Sequence, residues 1–178
     1  MKKRWLFLLI PLMLLACRTL FPDRLHPTDT PFVVATSRVE ATAFAPRPDF
    51  TLVRIYPKDG VLQSQLVAEA QKAQALGQAP FVEFDATWCA CCQAIAVSLA
   101  DQNPLILDAY RGVYLIHLNV DEWGWGNPKA GFRTVEGIPI FFKLDRDGKP
   151  TGATVDGDAW GENIPENFAP VLAKFFHP

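Results

Sequence analysis

The chain has 178 residues, of which 49% are apolar, 20% charged and 12% aromatic, and its formal charge is −2. This balance excludes a disordered or collagen-like chain, and the length suits one domain plus an extension. No apolar run is long enough to make a membrane-embedded transporter or channel.

Lys2, Lys3 and Arg4 precede an apolar stretch at residues 5–16. Twelve residues is the length of a signal peptide and short for a membrane-spanning helix. The stretch ends Leu14-Leu15-Ala16-Cys17, which resembles the lipobox of bacterial lipoproteins. Residues 1–16 are therefore expected to be a lipoprotein signal peptide, with Cys17 the lipidated residue of the mature N-terminus. Two or more acyl chains there would anchor the protein stably to a membrane. Losing the signal takes the 17 basic side chains to 14 against 19 acidic, a charge of −5. So acidic a domain, with no basic run, excludes nucleic acid as a partner. The expected location is the cell envelope, facing the periplasm or the cell exterior.

Residues 17–48 carry Pro22, Pro27, Pro31, Pro46 and Pro48 with no helical or alternating pattern, although Phe32-Val33-Val34 suits a short strand or a docking segment. As a flexible tether this stretch reaches roughly 30 Å on average.

Residues 49–178 alternate between strand and helix patterns. Residues 50–56 are β-rich. Leu62, Leu66, Ala70 and Ala73 have helical spacing within 61–76, and Gly77 closes that helix. A short buried strand is expected at 81–84. Cys92, Ile95, Ala96 and Leu99 follow i, i+3, i+4, i+7, so a helix starts near the cysteines. A further helical piece covers 104–110 after Asn103-Pro104. Strands follow at 113–120 and 139–144, then a turn at Arg146-Asp147-Gly148-Lys149 and a short strand near 153–155. Phe168, Leu172 and Phe175 mark a C-terminal helix. This order predicts an α/β structure with helices flanking one sheet.

Three thiols lie within four residues, in Cys89-Ala90-Cys91-Cys92. Cys89 falls at a helix N-terminus, where free N–H groups and the macrodipole favour a thiolate. Cys92, one turn on, belongs to the apolar stripe and is shielded. Thiols three apart can close a disulfide without refolding the chain. A bare C-x-x-C also suits half a zinc site or a structural disulfide. No second C-x-x-C completes a zinc site, and His26, His117 and His177 are scattered, each read as an ordinary surface or strand residue.

The surrounding residues narrow the choice. The segment Phe84-Asp85-Ala86-Thr87-Trp88-Cys89-Ala90-Cys91-Cys92 resembles the thioredoxin active-site segment. Asn119-Val120-Asp121 and Val135-Glu136-Gly137-Ile138-Pro139 resemble two later thioredoxin segments in family order, and Phe141-Phe142-Lys143 and Asp147-Gly148 match the next strand and turn. The resemblance covers residues 50–176 and implies a thioredoxin-like fold with a central mixed β-sheet.

It also implies a protein thiol–disulfide oxidoreductase serving cell redox homeostasis. Cys89 would be the nucleophile and Cys92 the resolving thiol, the Cys89–Cys92 disulfide being redox-active with no other cofactor. Pro139 matches the family's cis-proline and would help present Ile138 backbone groups to substrate. Glu83 occupies the position of the family's buried acid and would relay the Cys92 proton; the alternative is an outward-facing strand residue. Trp88 would pack beside the site and contact substrate. Ala90-Cys91 brings no positive charge between the cysteines, which favours a reducing character. Implied partners are protein disulfides, with apocytochromes and copper-site assembly proteins as examples, and a membrane thiol protein as electron donor.

Two features depart from the family pattern. Cys91 is an additional, partly exposed thiol, read first as a tolerated substitution. With Cys89 and Cys92 it would alternatively make a copper(I)-binding or metallochaperone module. A redox-inactive structural lipoprotein is the third reading. Trp123-Gly124-Trp125-Gly126 resembles an insertion, and its tryptophans suit either a recognition lip or packing on the domain.

Overall fold

The computed structural model describes residues 49–178. The expected signal peptide, the expected lipidation site Cys17, the expected tether and Phe32-Val33-Val34 lie outside the described residues.

Five strands form one mixed sheet: β1 (Thr51–Arg54), β2 (Ala79–Asp85), β3 (Val113–Asn119), β4 (Ile140–Leu144) and β5 (Pro150–Asp156). Their order is β1-β3-β2-β4-β5. β3 runs parallel to both β1 and β2, while β4 is antiparallel to β2 and to β5. The helices are α1 (Leu62–Ala75), α2 (Ala90–Ala100), α3 (Pro104–Ala109), α4 (Val120–Trp123) and α5 (Pro165–Phe176). Among the described residues no helix is long and apolar enough to cross a membrane.

Two apolar layers sandwich the sheet. Leu62, Leu66 and Ala73 of α1 pack with Val82, Phe84, Ile116, Leu118 and Phe142. On the opposite face Ile95, Ile106, Tyr110, Phe168, Leu172 and Phe176 pack with Phe81, Leu115 and Phe141. Alternate strand residues point to opposite faces, so β2 supplies Val82 and Phe84 to one layer and Phe81 to the other.

Local signals explain the element ends. Gly77, at φ +69°, follows α1 in the left-handed conformation that glycine adopts without strain. The Asn103 side chain accepts from Leu105 N at 3.0 Å and Pro104 opens α3. Gly148 turns the β4–β5 hairpin against α1 so closely that a Cβ there would lie 2.6 Å from the Leu66 carbonyl oxygen.

Three of the differences from the expected elements have a local physical reason. β3 ends at Asn119, whose side chain accepts from Asp121 N at 2.8 Å and caps the short α4, with Asp121 and Glu122 in its first turn. β5 runs further than 153–155 because its antiparallel partner, β4, supplies backbone bonds on both sides of that core. In α5 the buried stripe is Phe168, Leu172 and Phe176, a strict i, i+4, i+8 series, and Phe175 is half-buried.

Candidate active site

Cys89 is the N-cap of α2, and its Sγ accepts from Cys92 N at 3.1 Å. This sulfur therefore meets the partial positive charge of the helix end, the condition under which a thiolate is stabilised. Cys89 and Cys92 are disulfide-bonded, with Cα atoms 5.3 Å apart. Both are buried, and Cys89 is only 5% exposed. Cys89 Sγ lies 3.6 Å from the Ile138 carbonyl oxygen, and the Ile138–Pro139 peptide is cis. The 133–139 segment thus brings backbone groups to the first sulfur.

Trp88, adjacent to Cys89, is 57% exposed and donates its indole N–H to Asp121 Oδ2 at 2.9 Å. The Trp-Gly-Trp-Gly segment divides its two indoles. Trp123 packs on the core and donates to the Ile55 carbonyl at 3.0 Å, whereas Trp125 faces out and lies against Trp88.

Cys91 is half-buried and touches both apolar layers. A Cβ at Gly157 would meet Cys91 Sγ and Pro139 Cδ, each at 3.5 Å, so this thiol shares a niche with the proline. Burial pushes its pKa up, with a Trp160 hydrogen bond opposing and Glu83 reinforcing the shift, and keeps it protonated. Among the described residues no group of three or more His, Cys, Asp or Glu side chains is arranged to hold a metal ion.

Glu83 is 2% exposed and turned inward from the middle of β2. It pairs in register with His117 of β3, which pairs in register with Arg54 of β1. Asp85 stands two residues further along the same face of β2. Arg54 Nη2 donates to both Asp85 oxygens at 3.0 Å. His117 Nδ1 lies 2.9 Å from Asp85 Oδ2 and 3.3 Å from Glu83 Oε2. Glu83, Asp85 and His117 line a cavity of about 390 Å³ together with Cys92 and Ile95.

These contacts set the proton affinities. Burial pushes Glu83 up to about 7; His117 and Arg54 pull it down, and Asp85 pushes it further up. Burial alone would lower His117, but Glu83 and Asp85 outweigh it and raise its pKa. A carboxyl group near neutrality beside a shielded thiol is suited to taking and returning a proton.

The structure thus brings Cys89, Cys92, Trp88, Ile138 and Pro139 to one spot, with Glu83 lining the cavity behind Cys92. Sequence reasoning missed Arg54 and Asp85 and read His117 as an ordinary strand residue. The available signal was a pair of acids two apart in an otherwise apolar strand, which places both on one face.

The sheet order, the helix-capping disulfide and the cis-proline opposite it define a thioredoxin-like fold. No family model matches the chain. The chain is 34% identical over 99 residues to "Thioredoxin-like protein HCF164, chloroplastic" of Arabidopsis thaliana, covering 54% of this chain and 36% of that protein. It is 40% identical over 90 residues to "Thiol:disulfide interchange protein TxlA homolog" of Synechocystis sp., covering 47% of each. It therefore spans between about a third and a half of the length of these curated relatives. Among solved structures, Trichomonas vaginalis thioredoxin matches with a TM-score of 0.44 and 23% identity, over 70% of this chain and 96% of that one. Oxidised thioredoxin O1 of Arabidopsis thaliana matches with a TM-score of 0.36 and 22% identity, over 60% and 86%.

Proposed function

We propose that the chain is a membrane-tethered thiol–disulfide oxidoreductase of the cell envelope that reduces protein disulfides. The observation that carries this reading is the Cys89–Cys92 disulfide with Cys89 capping α2 and Glu83 in the cavity behind Cys92. The names of the two relatives support the same chemistry.

In the reducing direction the Cys89 thiolate attacks one sulfur of a substrate disulfide. A Cys89–substrate bond forms and the other substrate sulfur leaves as a thiolate. The Cys92 thiol gives its proton to the Glu83 carboxylate, directly or through water, and attacks Cys89 Sγ. The Cys89–Cys92 bond forms and the second substrate sulfur leaves with its electron pair. Two electrons have passed from the dithiol to the substrate, and an external dithiol donor, for which a membrane thiol protein is proposed, resets the pair. Backbone groups of Ile138 and the indole of Trp88 contact the substrate chain. Cys17 supplies the lipid anchor, and the protein faces the periplasm or cell exterior.

The test is equilibration of the protein in glutathione buffers, with mass-spectrometric mapping of the linked cysteines. A Cys89–Cys92 couple near the thioredoxin value, on the order of −270 mV, is expected. A couple near −120 mV, the order found for strong oxidases, would reverse the direction of transfer. Fractionation of cells, with mass analysis of the mature N-terminus, tests the anchor: acylated Cys17 in the membrane fraction is expected, and an unmodified soluble product would remove it.

A further inference from the structure

Among the described residues two aromatic side chains are strongly exposed, Trp88 at 57% and Trp125 at 42%, and they touch each other. Their ring centroids are 6.2 Å apart at an interplanar angle of 36°. The other large exposed apolar residues, such as Val61, Leu105 and Ile164, are aliphatic. Trp88 directly precedes Cys89, so the indole pair borders the nearly buried sulfur that a substrate must reach.

Trp125 is held in place from several directions. Trp123, at the root of its loop, is anchored on Ile55. The Trp125 carbonyl accepts from Val135 N at 3.2 Å. Gly126, at φ +105°, approaches the Arg133 backbone so closely that a Cβ would lie 2.3 Å from its carbonyl oxygen. The loop is therefore clamped to the segment that continues to Ile138 and Pro139. An exposed indole fixed beforehand loses little entropy when something packs on it. The Trp88 N–H is already engaged by Asp121, which leaves that indole its apolar faces.

We infer that Trp125, lying tilted against Trp88, is a specificity-determining contact for an extended polypeptide with a bulky apolar side chain within two residues of its disulfide cysteine. This rests on the proposed disulfide exchange at Cys89. The peptide runs along the Ile138 backbone, its cysteine enters beside Cys89, and the neighbouring apolar side chain lies on the two indoles.

The test uses the reduced protein and short peptides whose single cysteine carries a thionitrobenzoate disulfide, with Phe, Ser, Arg or Glu preceding the cysteine. Attack by Cys89 forms the protein–peptide disulfide and releases coloured thionitrobenzoate. An aromatic contact worth roughly 1.4 kcal/mol predicts release about tenfold faster for Phe than for Ser. The Phe-to-Ser ratio should fall to about twofold in Trp125→Ala and stay between these values in Trp125→Phe, as expected for loss of one aromatic wall. Leu105→Ala, a distant exposed apolar site, should keep the full ratio. An unchanged ratio in Trp125→Ala, or fastest release from the Arg or Glu peptide, overturns the inference.

A second arm needs no exchange chemistry. Fluorescently labelled Phe and Ser peptides with serine in place of cysteine are titrated with oxidised protein and followed by polarisation. Tighter binding of the Phe peptide that depends on Trp125 supports the inference, and equal binding of the two overturns it. Failure of every peptide to release thionitrobenzoate refutes the oxidoreductase reading instead, and the binding arm still decides the role of Trp125.

Discussion

The two sulfurs of the disulfide meet different surroundings. Cys92 shares its cavity with Glu83, Asp85 and His117, charged or titratable groups drawn from two adjacent strands. Cys89 is bordered by the Ile138 carbonyl and by its neighbour Trp88, against which Trp125 lies. The inner groups are largely buried and paired with one another, whereas the two outer indoles are exposed. Buried charges shift each other's proton affinity strongly, because little water screens them. Exposed indoles have little effect on protons but offer contact area. In the proposed exchange, the inner side would control the proton and the outer side would contact the substrate.

The contrast breaks most sharply at Glu83. Glu83→Gln removes the carboxyl group proposed as the base behind Cys92 and should slow resolution of the Cys89 mixed disulfide by about 100-fold. Quenched-flow alkylation of the mixed disulfide would show it accumulating, and an unchanged rate would remove Glu83 from the mechanism.

Next in size is the pH dependence of stability. Glu83 ordinarily titrates near 4.5 and is raised to about 7 in the folded protein, and His117 is raised as well. Both groups hold protons more tightly in the folded state, so their stabilising contribution is present at low pH and lost as pH rises through their folded values. Denaturant unfolding of the oxidised protein should show a fall of roughly 1–3 kcal/mol between pH 5 and pH 8. Glu83→Gln should flatten this slope, and a slope that persists there would place the effect elsewhere.

A smaller effect separates the partners of Glu83. His117 lowers the Glu83 pKa and Asp85 raises it. His117→Gln should therefore move the midpoint of the pH–rate curve for mixed-disulfide resolution upward by about one unit, and Asp85→Asn should move it downward. Shifts of the same sign in both would contradict the cluster as described.

The smallest effect is expected at Cys91. Its thiol is half-buried, raised in pKa and seated beside Gly157. Cys91→Ser should change the turnover rate by less than about twofold, since the thiolate is the reacting species and little forms there. A larger loss would bring Cys91 into the exchange reaction.

The alternation of strands and helices, the C-x-x-C pair at a helix start and the segment ending in Pro139 are all legible in the residue order. These are local properties, set by hydrophobic period, by a helix end's need for acceptors and by motifs a few residues long. Family resemblance also placed Glu83 at the position of a buried acid, with an outward-facing residue as the alternative. It took the folded sheet to turn that side chain inward and give it company. Arg54 and Asp85 are 31 positions apart, and His117 is 32 beyond Asp85, so strand register alone decides that they meet. The two tryptophans of Trp-Gly-Trp-Gly look equivalent in the sequence, yet one caps the core and the other faces solvent. Long-range packing made that choice, because Ile55 holds the Trp123 indole, Val135 holds the Trp125 backbone, and no local pattern encodes their positions.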